Sequence, residues 1–221
     1  MSEKQKQVDW PTCQLMLVIE PGAGARERLR AAFEVCQASA VLIRPKAGQK
    51  LGAGEVKPLV DLSQDQGAAA ILMDDAELAR TLRADGVHLA PDSQASPVTS
   101  QQIAAARAVL GADAIIGVEA GQSRHAAMEA GETGASYVAF GVDQRTDRQT
   151  RDDMVAWWAE IFEVPCVVLD VDTVAEASRG NADGADFVAL TLPEDLDALG
   201  TLVGDVDCVL MLGGETAEGA R

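Results

Sequence analysis

Aromatic side chains are scarce. They make up 4% of the 221 residues, so any core has to be assembled from smaller groups. Ala, Val, Leu and Gly fill that role in a chain that is 48% hydrophobic, a composition suited to helices packed closely on a parallel sheet. Positive charge is scarce as well. There are 35 acids against 18 Lys and Arg, giving a formal net charge of -17, and the resulting field repels polyanions. Nucleic acid and anionic membranes are therefore excluded as expected partners. No apolar run approaches the roughly 18 residues needed to cross a bilayer, and the first nine residues are polar rather than a signal sequence, so a cytoplasmic protein is expected. Cys13, Cys36, Cys166 and Cys208 have no CxxC spacing, which argues against a zinc site or a disulfide framework. Neither a Gly-x-Ser-x-Gly elbow nor a His-Glu-x-x-His helix is present.

What the chain does have is a recurring unit in which small residues, often with Asp, lead into an apolar run. It occurs as Gly67-Ala68-Ala69-Ala70-Ile71-Leu72 and Ala84-Asp85-Gly86-Val87-His88-Leu89. It returns as Gly111-Ala112-Asp113-Ala114-Ile115-Ile116, Gly134-Ala135-Ser136-Tyr137-Val138-Ala139-Phe140 and Gly184-Ala185-Asp186-Phe187-Val188-Ala189-Leu190. A glycine that ends a helix, followed by a buried strand, explains each copy. Adding the apolar runs at 15–19, 41–43 and 164–169 gives about eight strands, each followed by a helix. The helices are expected near 24–38, 52–65, 75–83, 99–110, 123–133, 151–162, 173–180 and 194–203, with Thr99 and Ser123 as N-caps. This is the count of a single α/β domain, a (β/α)8 TIM barrel. The rival is a doubly wound open sheet, but its phosphate fingerprint fails because Glu27 stands where a third glycine would follow Gly22 and Gly24. The barrel is expected over 13–203, behind a flexible arm at 1–12. Residues 204–221 would form a closing element and a flexible tail, with Cys208-Val209-Leu210-Met211-Leu212 as either helix or strand.

Residues 68–92 carry the first functional signal. Two successive apolar runs each end near acids, and in a barrel of this kind the loops after the strands build the active site. Glu20, Asp74, Asp75, Asp92, Glu119, Asp143, Asp170 and Asp172 all fall at expected strand ends on one face. Clustered carboxylates suit hard divalent cations, whereas single ones often cap the following helix. Arg44-Pro45-Lys46 follows an apolar strand and is the expected anion contact in this acidic mouth. His88, alternating with Val87 and Leu89, is expected to be a structural histidine, and His125 lies at the exposed start of a helix. Trp157 and Trp158 share a helix with Ile161 and Phe162 and are expected to pack in the core or at a subunit interface.

Taken together, Asp74 with Leu78-Ala79, the Ala84-to-Leu89 run, Ile116-Gly117-Val118, Gly134-to-Gly141, Val164-Pro165 and Gly184-Ala185-Asp186 resemble the thiamine phosphate synthase family of TIM barrels, over roughly residues 40 to 190. The resemblance implies a transferase that joins a hydroxymethylpyrimidine diphosphate to a thiazole phosphate and releases pyrophosphate, using Mg2+. It further implies catalytic and substrate-binding roles for Arg44 and Lys46 on the diphosphate, substrate-binding positions at Glu119 and Gly141, and metal-binding carboxylates at Asp74 and Asp92. The implied partners are small phosphorylated substrates, with homo-oligomerisation left open.

Other positions depart from the family pattern. Met73 and Asp75 replace the Asn and the basic residue around Asp74. The second metal acid has become Ser93 or has moved to Asp92, and the family's Ser and His after strand 5 are Glu119 and Gly121. The Thr-rich segment after strand 6 keeps only Thr146, and the Gly-Gly phosphate cradle after strand 7 reads Asp170-Val171. Leu190-Thr191-Leu192 lacks the family's phosphate-loop Ser after strand 8. These changes support an alternative reading, a catalytically inactive or repurposed barrel that binds another small molecule.

Overall fold

The computed structural model describes residues 13–91, 96–142 and 146–218. The expected N-terminal arm, Asp92, Asp143 and the end of the expected tail lie outside the described residues. Eight strands alternate with eight helices: β1 (Gln14–Ile19), α1 (Ala25–Phe33), β2 (Ala38–Ile43), α2 (Ala53–Asp65), β3 (Ala69–Met73), α3 (Ala76–Leu82), β4 (Gly86–Leu89) and α4 (Ser100–Leu110). They continue as β5 (Ile115–Glu119), α5 (Arg124–Glu132), β6 (Tyr137–Phe140), α6 (Arg148–Ile161), β7 (Cys166–Val171), α7 (Val174–Ala182), β8 (Phe187–Thr191) and α8 (Leu196–Glu218). Every strand pairs in parallel with its sequence neighbours, and β1 closes on β8, so the open-sheet alternative is excluded in favour of the TIM barrel.

The alternation of side chains divides the apolar residues between two compartments. Leu15, Leu17 and Ile19 of β1 pack outward with Leu29 and Ala32 of α1, whereas Met16 and Val18 join Ala40, Leu42, Ile71, Tyr137 and Leu169 inside the barrel. Tyr137 is the one buried aromatic side chain of that interior core among the described residues, with the partly buried Phe187 packed against it. A Cβ on Gly117 would lie 2.0 Å from Cζ of Tyr137, so the missing side chain makes room for this ring to cross toward His88.

The recurring small-residue unit proves to do two jobs. Its glycine ends a helix with positive φ, 90° at Gly134 and 89° at Gly184. Its polar residue then caps the preceding strand at the bottom of the barrel. Asp85 accepts from the Ala70 N–H at 2.7 Å, Ser136 from Ile116 at 3.0 Å, and Asp186 from Cys166 at 2.8 Å. These groups satisfy strand N–H groups at the end opposite the mouth, where polar residues serve stability rather than chemistry.

Thr99 and Ser123 are the N-caps of α4 and α5, Thr99 with a full capping box. Three boundaries differ from the sequence expectation. Helix α1 stops at Phe33 instead of running to 38, because the Val35 and Cys36 N–H groups both turn back to the Ala32 carbonyl and β2 already begins at Ala38. Helix α6 starts at Arg148, where Asp147 accepts from the Thr150 N–H at 2.8 Å. The 208–212 run lies within the 23-residue α8 and adds no strand. Among the described residues, no helix is long and apolar enough to cross a membrane.

Candidate functional site

The C-terminal ends of the strands bring part of the expected site together. Arg44 follows β2 and is anchored by its N–H to the Ile19 carbonyl at 2.9 Å. Since Ala40 and Leu42 face the interior, alternation sends the Arg44 side chain inward over the mouth. There its Nη1 donates to Asp170 Oδ1 at 3.0 Å, across 126 residues of sequence. Asp170 reaches this position through a bulge: the β7–β8 register shifts between Val168 and Val171, and Asp170 has φ 56°. A bulge re-aims a side chain at a barrel rim, at a cost of about 1–2 kcal/mol for a left-handed L residue. Two bonds to the carboxylate offset that cost, since Oδ2 also accepts from the Val142 N–H at 3.0 Å.

The bulge is held from below. Arg151 of α6 is buried and donates to the carbonyls of Leu169 at 2.9 Å and Asp170 at 3.4 Å. Its Nε and Nη2 bind Asp152 Oδ1 at 2.9 and 2.8 Å, and Arg179 reaches the other Asp152 oxygen at 3.4 Å. Nothing in the sequence pattern marked Arg151, although an Arg-Asp pair on the inner face of a helix is itself unusual because such charges are seldom buried unpaired.

Gly141 and Glu119 adjoin the same group. A Cβ at Gly141 would lie 2.9 Å from Asp170 Oδ2 and 3.2 Å from Glu119 Oε1, so glycine here lets both carboxylates approach. Glu119 and Gly141 line a cavity of about 510 Å3 with Ala90, Gly121, Gln122 and Thr146. Beneath it lies His88, fully buried, whose Nδ1 is 2.9 Å from the Tyr137 hydroxyl and whose Nε2 is 3.8 Å from Glu119 Oε2. Burial, and then the charge of Glu119, push the Tyr137 phenol upward, so the hydroxyl keeps its proton and shares a hydrogen bond with Nδ1. Among the described residues Nε2, on the Glu119 side of the ring, has no hydrogen-bond partner. His88 is thus buried inside the barrel, with a partner in Tyr137 that spacing could not reveal.

Two expected residues sit to either side of this group. Asp74, at φ 55° after β3, donates its N–H to the His88 carbonyl at 2.9 Å and accepts from the Ala90 N–H at 2.8 Å. It lines a cavity of about 360 Å3 with Ala76, Leu89, Gln102 and Ala106. Lys46 turns the other way, lining a cavity of about 530 Å3 with Gly22, Gly24, Arg28 and Glu194 beside the start of α1 and α8. Of the other acids, Asp75 caps α3 through the Leu78 N–H at 2.9 Å, and Asp172 pairs with Arg148 at 3.1 Å. Burial holds the Cys13 and Cys166 thiols up at about 12, so neither serves as a nucleophile. Trp158 is buried, stacked on Phe162 at 4.0 Å and bonded through its N–H to the Val164 carbonyl, which makes it core.

A guanidinium and a main-chain N–H that close on a carboxylate form an anion seat, flanked by a cavity with one acidic wall. The comparisons with known proteins agree on its ancestry. The family profile described as thiamine monophosphate synthase matches residues 15–192. The thiamine-phosphate synthase of Erythrobacter litoralis is 36% identical over 190 residues, covering 80% of this chain and 86% of the relative. That of Hyphomonas neptunium is 39% identical over 155 residues, covering 68% of this chain and 65% of the relative. Among solved structures, the thiamine phosphate pyrophosphorylase from Pyrococcus furiosus superposes with a TM-score of 0.73 at 21% identity, covering 92% of this chain and 98% of the other, a likeness of fold. A family match extending from β1 to just past β8 takes in all eight strands and every expected site position, and the chain belongs to the thiamine monophosphate synthase family.

Proposed function

We propose that this protein joins a hydroxymethylpyrimidine diphosphate to a thiazole phosphate, forming thiamine phosphate and releasing pyrophosphate in the cytoplasm. The observation that carries the reading is the anion seat at the mouth, where Arg44 and the Val142 N–H already hold two oxygens of one anionic group at 3.0 Å each. A guanidinium binds phosphate oxygens in the same way as carboxylate oxygens. Arg44 therefore receives the diphosphate and stabilises the charge that grows on it as the methylene C–O bond breaks and the diphosphate departs with the electron pair. The thiazole nitrogen then donates its lone pair to the methylene carbon. Glu119, at the wall of the adjoining cavity, places a negative charge beside the cationic pyrimidine methylene. Lys46 supplies a second positive charge on the far side of the β1 loop.

Mg2+ commonly takes one or two carboxylates together with substrate phosphates instead of a cage built by the protein. Among the described residues no three His, Cys, Asp or Glu side chains converge on a metal position, and Asp74, just after β3, offers one hard oxygen donor beside the mouth. This donor set fits an ion shared with a diphosphate. Asp74 would hold it, with Asp92 as the second carboxylate, and the ion would neutralise charge on the leaving group.

The pairing of Arg44 with Asp170 favours a second reading, in which the barrel keeps its fold and holds a different small molecule. Turnover separates the two. With both substrates and Mg2+, the purified protein is expected to release thiamine phosphate and pyrophosphate one to one, at a rate lowered roughly a hundredfold by Asp74→Asn. Absence of product from the wild-type protein contradicts the synthase reading and leaves the second.

A further inference from the structure

The Asp170 carboxylate is gripped from two sides. Oδ1 is held by Arg44 and Oδ2 by the Val142 N–H, each at 3.0 Å, and the donors are of the kind that grip phosphate. The backbone is bent to put it there: Asp170 is one of three non-glycine residues with positive φ among the described residues, and it stands in a register shift of β7. Arg151 fixes the carbonyls of the bulge from beneath, so the carboxylate is presented by a braced element. The neighbouring Glu119, whose Oε1 also faces Gly141, adds a second negative charge on the same side.

We propose that Asp170 is a built-in anionic plug, which fills the anion seat of Arg44 until a phosphate-bearing ligand displaces it. The proposal rests on the reading of Arg44 as the diphosphate residue. An entering anion loses part of its binding free energy in breaking the Arg44–Asp170 pair and in lying near the released carboxylate. Anions with one charge and one point of attachment therefore bind poorly. A diphosphate has several oxygens and a higher charge, so it can hold Arg44 and still engage further donors. Asp170 is thus a specificity-determining residue for the charge and reach of the ligand. The left-handed backbone at 170 already suits glycine, so Asp170→Gly removes the plug without opposing the local conformation.

Titration of the full chain with inorganic pyrophosphate, followed by calorimetry, tests this. Asp170→Gly is expected to bind at least about tenfold more tightly than the wild-type protein, and Asp170→Asn to bind more tightly than wild type by a smaller factor. Both gains should vanish when Arg44→Ala is added. Should the glycine variant fail to fold, the asparagine variant carries the test alone. Unchanged or weaker binding by the asparagine variant, a gain that survives loss of Arg44, or no measurable binding by any variant overturns the plug. Tighter pyrophosphate binding with no thiamine phosphate formed sinks the synthase reading and keeps the plug, whereas normal turnover with no gain in binding does the reverse.

Discussion

Arg44→Ala is expected to lower kcat/KM for thiamine phosphate formation by roughly 10²–10³-fold while moving the thermal transition very little. The guanidinium is the charged donor of the anion seat, and the charge on a diphosphate leaving group is greatest in the transition state, so its loss should appear in kcat as well as KM. Stability should be spared for a specific reason. Asp170 keeps its bond to the Val142 N–H, and its side chain is 27% exposed, so water can replace the lost partner. Arg44→Lys should recover only part of the activity, because an ammonium cannot reproduce the planar fork. Steady-state kinetics beside a thermal melt check this. A variant with wild-type kcat/KM places the diphosphate elsewhere.

The second large effect concerns stability. Arg151→Met is expected to cost about 3–5 kcal/mol, the range for breaking a buried ion pair from one side. Four hydrogen bonds are lost at once, two to the β7 carbonyls and two to Asp152. Asp152, with 4% of its side chain exposed, then keeps only the more distant Arg179 at 3.4 Å. In a domain of this size the melting temperature should fall by roughly 10 °C. Adding Asp152→Leu should restore much of the loss, since an apolar pair of similar volume carries no stranded charge. Denaturant unfolding of the two variants measures both effects. Equal midpoints for wild type and Arg151→Met contradict the claim that this cluster braces the β7 bulge.

The barrel was legible because each repeating unit states its own local physics. The run from Gly184 to Leu190 ends a helix, caps a strand through Asp186 and fills the core with Val188 and Leu190, all within a few residues. The strand-end positions of Asp74, Glu119 and Gly141 followed from the same unit, and that of Arg44 from the apolar run at 41–43. What sequence could not give was the distance across the mouth. Arg44 and Asp170 meet over 126 residues only because the barrel closes and β7 bulges, and neither event leaves a local signature. The replacement of the family's Gly-Gly by Asp170-Val171 is plain in the sequence, but that the acid itself is held by Arg44 and the Val142 N–H is not. His88 and Tyr137 find each other for a similar reason, across Gly117 in the strand between them. Lys46 shows the converse case. It is two residues from Arg44, yet the turn after β2 carries it to the side of α1 and α8.

The seat at Arg44 carries the account, and the crystal structure of the protein grown with magnesium pyrophosphate tests it most directly. A phosphate oxygen is expected on the Arg44 guanidinium and the Val142 N–H, with the Asp170 carboxylate turned away from both. Pyrophosphate bound elsewhere, with the 3.0 Å Arg44–Asp170 pair intact, would contradict it.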